Sequence, residues 1–251
     1  VNYFLLDRYI FTATFRADGS SKFAPGNQWG YFPSAAIAWR ISNEEFLANQ
    51  SVISNLKLRV SMGAAGNNRI GSDLWMTNYQ VSTSNSIGFG NRINQYYEPA
   101  SSLLSNPDLR WETTITRNIG LDYGLFRHRL SGVVDLYWNT TQDLLVRSDI
   151  PSYLGYSQQM RNIGQTSNRG IEFTLNGRAV QKQDLIVNVS FNIGVNQPRI
   201  DRLDEVTEKP FRSSWATSDL RESDDYRVIV GETVGLMYGY VFDGMYTRDD
   251  F

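Results

Sequence analysis

The 251-residue sequence contains no cysteine. That excludes a disulfide framework, thiolate metal sites and a cysteine nucleophile. There is one histidine, His128, set between Arg127 and Arg129. It reads as an exposed turn residue, and a Ser–His–Asp apparatus would have no other imidazole to use. No run of about 18 apolar residues exists, so no transmembrane helix is expected, and there is no signal peptide. Charge of one sign is also missing: 24 Lys and Arg against 26 Asp and Glu give a net charge of −2. A nucleic-acid partner, which calls for a basic face, is not expected.

Other chemistry is missing too. No phosphate-binding glycine loop occurs. A glycosidase needs two carboxylates across a cleft. Glu112, Asp122, Asp135 and Glu172 can be nominated, but they are spread over three strands with no reason in the sequence to converge. The acidic stretch Asp201, Asp204, Glu205 and Glu208 lacks the spacing and glycine of an EF-hand and reads as a solvated loop. Asn139-Thr140-Thr141 fits a glycosylation sequon that is common by chance. No catalytic residue, cofactor or metal site is expected, and the protein is not read as an enzyme.

What is present is period-two alternation. Leu130, Gly132, Val134, Leu136 and Trp138 alternate with Arg129, Ser131, Val133, Asp135, Tyr137 and Asn139. The same rhythm runs through 9–16, 30–40, 56–63, 115–125, 171–179, 185–196 and 236–247, giving about eight strands. Arg117 breaks the apolar face of its segment. Helical spacing is credible only over Asn43–Asn49, after the capping-type Ser42. Many runs reach ten residues, longer than the usual five or six of globular strands and close to the roughly 9–11 that cross a bilayer at a tilt.

Connections alternate in length. Tight turns fall at Arg127-His128, between strands near 112–126 and 129–146, and at Gln181–Gln183. Long polar stretches cover 17–30, 66–110, 147–168 and 198–235, with 41–54 a medium exception on the short-turn side. Aromatics such as Trp29, Tyr31, Trp39 and Trp138 gather near strand ends. Together these predict an all-β, antiparallel transmembrane β-barrel, with about eight strands of a larger wall, long extracellular loops and short periplasmic turns. Outer-membrane lipid then faces the apolar side. The opposite side supplies the lumen-facing candidates Arg8, Arg16, Arg59, Asp122, Asp135, Glu172, Arg178, Asn188 and Asn192. A soluble β-sandwich that binds carbohydrate is the competing architecture. Val1 begins in mid-pattern and Phe251 ends without a closing element, so a piece of a longer polypeptide is expected.

Several phrases carry a family resemblance. In order they are Arg16-Ala17-Asp18-Gly19-Ser20-Ser21-Lys22-Phe23, Trp29-Gly30-Tyr31-Phe32-Pro33-Ser34, Leu56-Lys57-Leu58-Arg59-Val60-Ser61 with Gly66-Asn67, and Asn106-Pro107-Asp108-Leu109-Arg110-Trp111-Glu112. Asp143-Leu144-Leu145, Asn162-Ile163-Gly164, Asn168-Arg169-Gly170-Ile171-Glu172 and Tyr238-Gly239-Tyr240 follow. The ordered set resembles the SusC-like (SusC/RagA) family of TonB-dependent outer-membrane transporters. The resemblance implies that 1–251 is part of one receptor barrel domain, without the plug domain, TonB box or closing C-terminal strands. It implies active import of oligosaccharides, or in some branches peptides, with a SusD-like surface lipoprotein as lid and energy through TonB. A metal chelate or vitamin is the alternative cargo on the same architecture.

Overall fold

The computed structural model describes residues 1–82, 87–89, 92–151, 153, 155–203, 208–211, 226–239, 241 and 244–245. Its main element is one eight-stranded antiparallel sheet in simple meander order. The strands are β1 Asn2–Leu5, β2 Tyr9–Gly19, β3 Trp29–Arg40, β4 Ile53–Asn67, β5 Glu112–Leu125, β6 Leu130–Gln142, β7 Gln165–Gln181 and β8 Ile186–Arg202. Strands β7 and β8 each reach 17 residues. The outer strands β1 and β8 do not pair with each other, so the sheet is an open arc.

The register explains why the alternation matters. One cross-strand row reads Tyr3, Phe11, Ile37, Val60, Ile119, Leu136, Ile171 and Val195, one apolar residue from every strand. The next reads Leu5, Tyr9, Trp39, Leu58, Leu121, Val134, Phe173 and Ile193. The first row is exposed throughout, from 36% at Ile119 to 64% at Val195. A sandwich would bury these side chains under a second sheet. Here nothing among the described residues covers them, and the sandwich expectation is set aside.

The offset of this band gives the strand tilt. Tyr9 is the first outward apolar residue of β2, and it lies level with Ile193. On β8, Val187, Val189 and Phe191 come before Ile193. The band therefore slips six residues (187 to 193) over the six steps from β2 to β8, one residue per step. At about 3.4 Å per residue and about 4.8 Å between strands, that is a tilt of roughly 35°, as a barrel wall requires.

Buried apolar side chains lie elsewhere. Phe23 and Leu109 are fully buried, and with Ile70 and Met160 they form a small core on the long-loop side, with Leu74, Trp111 and Leu145 against it. The connections there carry their own hairpins: Leu145–Asp149 pairs with Gln158–Asn162, which meets Leu103–Leu104.

Four expectations are corrected. The segment Asn43–Asn49 is not an α-helix but two 3-10 turns, Ile41–Asn43 and Glu45–Leu47, and Ser42 lies inside the first rather than capping it. The cause is Glu44, held extended between them while its carboxylate accepts from Trp39 Nε1 at 2.8 Å, Arg8 Nη1 at 2.9 Å and the Tyr9 hydroxyl at 3.1 Å. The strand read as 129–146 stops at Gln142, because Asp143 takes a left-handed φ of 56° and turns the chain out. The tight turn read as Arg127-His128 begins one residue earlier, with Phe126, Arg127 and His128 all left-handed. The strand read as 236–247 is Leu236–Met237 in a separate small sheet, and much of the remainder lies outside the described residues. The eighth member of the main sheet is instead β1.

Two predictions follow from the wall. In the intact protein in lipid, Val60→Arg places a charge in the apolar band and should cost about 2–4 kcal/mol. Thr116→Arg, on the polar face, should cost much less. Denaturant unfolding in bilayers compares them, and equal costs would contradict the assignment of faces. Glu44 is held below the ordinary carboxylate value first by the Trp39 hydrogen bond, then by the Tyr9 hydrogen bond and Arg8, against an opposing effect of burial. A lowered folded value means its stabilisation is present above about pH 4.5, the unfolded value, and is lost as acid takes pH through the folded one. Protease cleavage at 41–52 should rise below that pH, and Glu44→Gln should remove the dependence.

Candidate functional site

Eight of the nine sequence candidates share one face of the sheet in the observed register, the face opposite the apolar rows, and Arg8 lies in the turn between β1 and β2. They do not all meet. Arg59 on β4 reaches Asp122 on β5 at 2.9 Å and Asp135 on β6 at 3.2 Å. Lys57, which the candidate set lacks, bonds the other oxygen of Asp122 at 2.6 Å. Glu172 on β7 stands directly opposite Asp135. Arg178 and Asn188 face each other on β7 and β8 near the short-turn end, and Asn192 stands opposite Thr174. Arg16 is taken up by Asp18 at 2.7 Å, and Arg8 by Glu44 at 2.9 Å.

The charge ladder depends on Gly120. Arg59 and Asp135 lie on either side of it in one row. A Cβ at 120 would stand 2.5 Å from Asp135 Oδ1 and 2.6 Å from Arg59 Nη2. Glycine is what lets the guanidinium pass over the intervening strand. Beside the ladder, Arg59, Asp135, Tyr137, Asn139, Asn168 and Glu172 line an open polar basin. The shielded Asn139 Oδ1 takes no hydrogen bond among the described residues. Such a surface offers charges of both signs, amides and a phenol. It suits recognition of a polar surface or solute. The exposed turn residue His128 is not part of it.

A second constellation sits where the long loops spring from the sheet. The Asn162 amide donates to Arg110 O at 2.8 Å and Asp143 O at 2.9 Å, and its oxygen accepts from Arg110 N at 2.9 Å. Arg110 bonds Asp143 at 2.8 Å. Glu112 accepts from Asn67 at 2.9 Å and from the Leu145 backbone at 3.0 Å. Trp111 donates to Gln28 O at 3.1 Å and packs its ring on Phe23 and Phe32. Phe32 in turn lies over Gly66, where a Cβ would be 2.0 Å from its ring. The phrases 106–112, 143–145, 162–164, 29–34 and 66–67 are therefore parts of one clasp. It was missed as a site because its members are scattered; the signal was their fixed order. Along its flank Asn106, Asp108, Arg110, Gln159 and Arg161 border a shallow polar groove. Of the acidic stretch 201–208, Asp201 accepts from Ser167 at 2.9 Å and Gln165 at 3.1 Å, and 204–207 lie outside the described residues.

Comparison with known proteins places this geometry. Residues 1–247 match the family described as TonB dependent receptor-like, beta-barrel. The chain is 40% identical over 206 residues to the TonB-dependent receptor SusC of Bacteroides thetaiotaomicron, covering 81% of this chain and 20% of that one. It is 35% identical over 251 residues to the TonB-dependent receptor P3 of Formosa agariphila, covering 100% and 24%. The solved RagAB peptide importer in its closed-closed state superposes with a TM-score of 0.76 at 27% identity, over 92% of this chain and 24% of that chain. The chain thus spans about a fifth to a quarter of the length of these relatives. It belongs to the TonB-dependent receptor-like β-barrel family, as a stretch of antiparallel wall in the bacterial outer membrane.

Proposed function

We propose that residues 1–251 are part of a single receptor barrel that imports oligosaccharides or peptides across the outer membrane. A SusD-like surface lipoprotein serves as its partner, and TonB supplies energy through other parts of the polypeptide. The observation that carries this reading is the two-faced sheet. Eight strands present unbroken apolar rows on one side and a charged, amide-rich ladder on the other. Only a wall between lipid and a wet interior uses both faces at once. On this reading Arg59, Asp122, Asp135, Glu172, Arg178, Asn188 and Asn192 line the lumen, and Arg8 and Arg16 mark its two ends.

The cargo class rests on two supports. One is similarity to SusC and to a peptide importer. The other is the loop side, where Tyr79, Tyr96, Tyr97 and Tyr153 are exposed. Aromatic faces stack on sugar rings and on peptide side chains, and neighbouring amides bond hydroxyl and peptide groups. The task of the site is binding and passage, with no bond made or broken.

The reading is tested on the intact receptor. Purified from outer membrane in mild detergent, it should bring down a surface lipoprotein in stoichiometric amount. Deleting its gene should abolish growth on at least one oligosaccharide or peptide source. Unchanged growth on all of them, with loss of uptake of a metal chelate or vitamin, would move the cargo to that class. The clasp yields a sharper prediction. Asn162→Ala removes three hydrogen bonds and should cost about 1–3 kcal/mol locally. Cleavage by added protease between 143 and 164 should rise and uptake should fall several-fold, at an unchanged amount of assembled barrel.

A further inference from the structure

On its long-loop side the apolar band ends at arginines. At the long-loop border, Arg117 on β5 and Arg169 on β7 stand directly opposite Trp138 on β6, one on each side. Arg199 on β8 lies one row further out, opposite Ser167. All four belong to the outward face, and Arg117 is the border of the band rather than a break in it. None of the three arginines forms an ion pair among the described residues. Their polar partners are neutral. Arg117 donates to the Thr140 hydroxyl at 3.4 Å, and Arg169 donates twice to Gln197 Oε1, at 3.1 and 2.7 Å. Trp138, Arg169, Gln197 and Arg199 line a hollow whose other walls include Asp201 and Glu232. Asp201 is engaged by Ser167 and Gln165.

We propose that Arg117, Arg169 and Arg199, arranged about Trp138, bind the phosphate-bearing head groups of lipid in the leaflet on the long-loop side. Each guanidinium has five N–H donors, and the neutral acceptors engage few of them. The planar donor fork fits a phosphate in bidentate fashion. Trp138, 42% exposed, supplies the amphipathic ring for the level where acyl chain meets head group. Three arginines with no carboxylate partner among the described residues, set about one exposed tryptophan on the apolar face, thus leave donors free for an anionic head group.

The test uses the full-length receptor in mild detergent, with bound lipid measured by native mass spectrometry. The probes are phosphorylated lipid A and the same lipid with its phosphates removed. The wild type should retain the phosphorylated form at least tenfold better. R117Q/R169Q/R199Q should lose that preference, R117K/R169K/R199K should keep part of it, and R178Q, on the other face, should keep all of it. Equal retention of phosphorylated lipid by the glutamine triple and the wild type would overturn the site, as would equal retention of the two lipids by the wild type. If the triple fails to assemble, R169Q alone carries the test, with a loss of about threefold expected and no loss overturning the proposal. Uptake is not the readout, so failure here leaves the import reading standing.

Discussion

Within a bilayer the backbone has no water to bond, and every amide in the crossing must find a partner in a neighbouring strand. That constraint organises this chain. It demands long, continuously paired strands, and the structure supplies five of 13 residues or more. It also leaves the side chains free to divide by face. Apolar residues meet lipid singly, without packing on one another as a core. The sheet can therefore be strongly two-sided and still lack a buried interior of its own.

Compaction happens outside the membrane. Phe23, Leu109, Ile70 and Met160 gather where three connections meet above the strand ends. The clasp around Asn162, Arg110 and Glu112 ties those connections to β4 and β5 with directional bonds. Two energy sources thus work at different heights. Backbone ladders and lipid contact hold the wall, while an ordinary hydrophobic core with buried hydrogen bonds holds the loop base.

The faces were legible in the sequence because a strand shows its environment every second residue. Tyr9, Phe11 and Phe15 or Val189, Phe191 and Ile193 need no partner to be recognised. The strand ends were not legible. Strands β7 and β8 continue to Gln165 and Arg202 with polar residues on both faces, because above the lipid the ladder no longer needs apolar cover. The turn after Arg40 was misread as helix because Glu44, which interrupts it, acts through Trp39, Tyr9 and Arg8 in space. Gly120 carried no signal alone; its role appears only when the register sets Arg59 and Asp135 on its two sides. Eight of the nine polar candidates share a face as the alternation requires, with Arg8 in a turn, but which of them touch depends on that register.

The one-residue slip between strands also fixes the curvature the chain is suited to. At about 4.8 Å between strands and a tilt of roughly 35°, each strand occupies about 5.9 Å of circumference, so eight span an arc near 47 Å. Rolled up on itself, that arc would give a cylinder whose bore is filled by side chains. Arg59, Asp122, Asp135 and Glu172 would then be pressed together without water, at the desolvation penalty that buried charges carry. The ionic character of the inner surface is therefore a geometric statement. It is stable only where the arc is one sector of a much wider circle, with room at its centre for solvent.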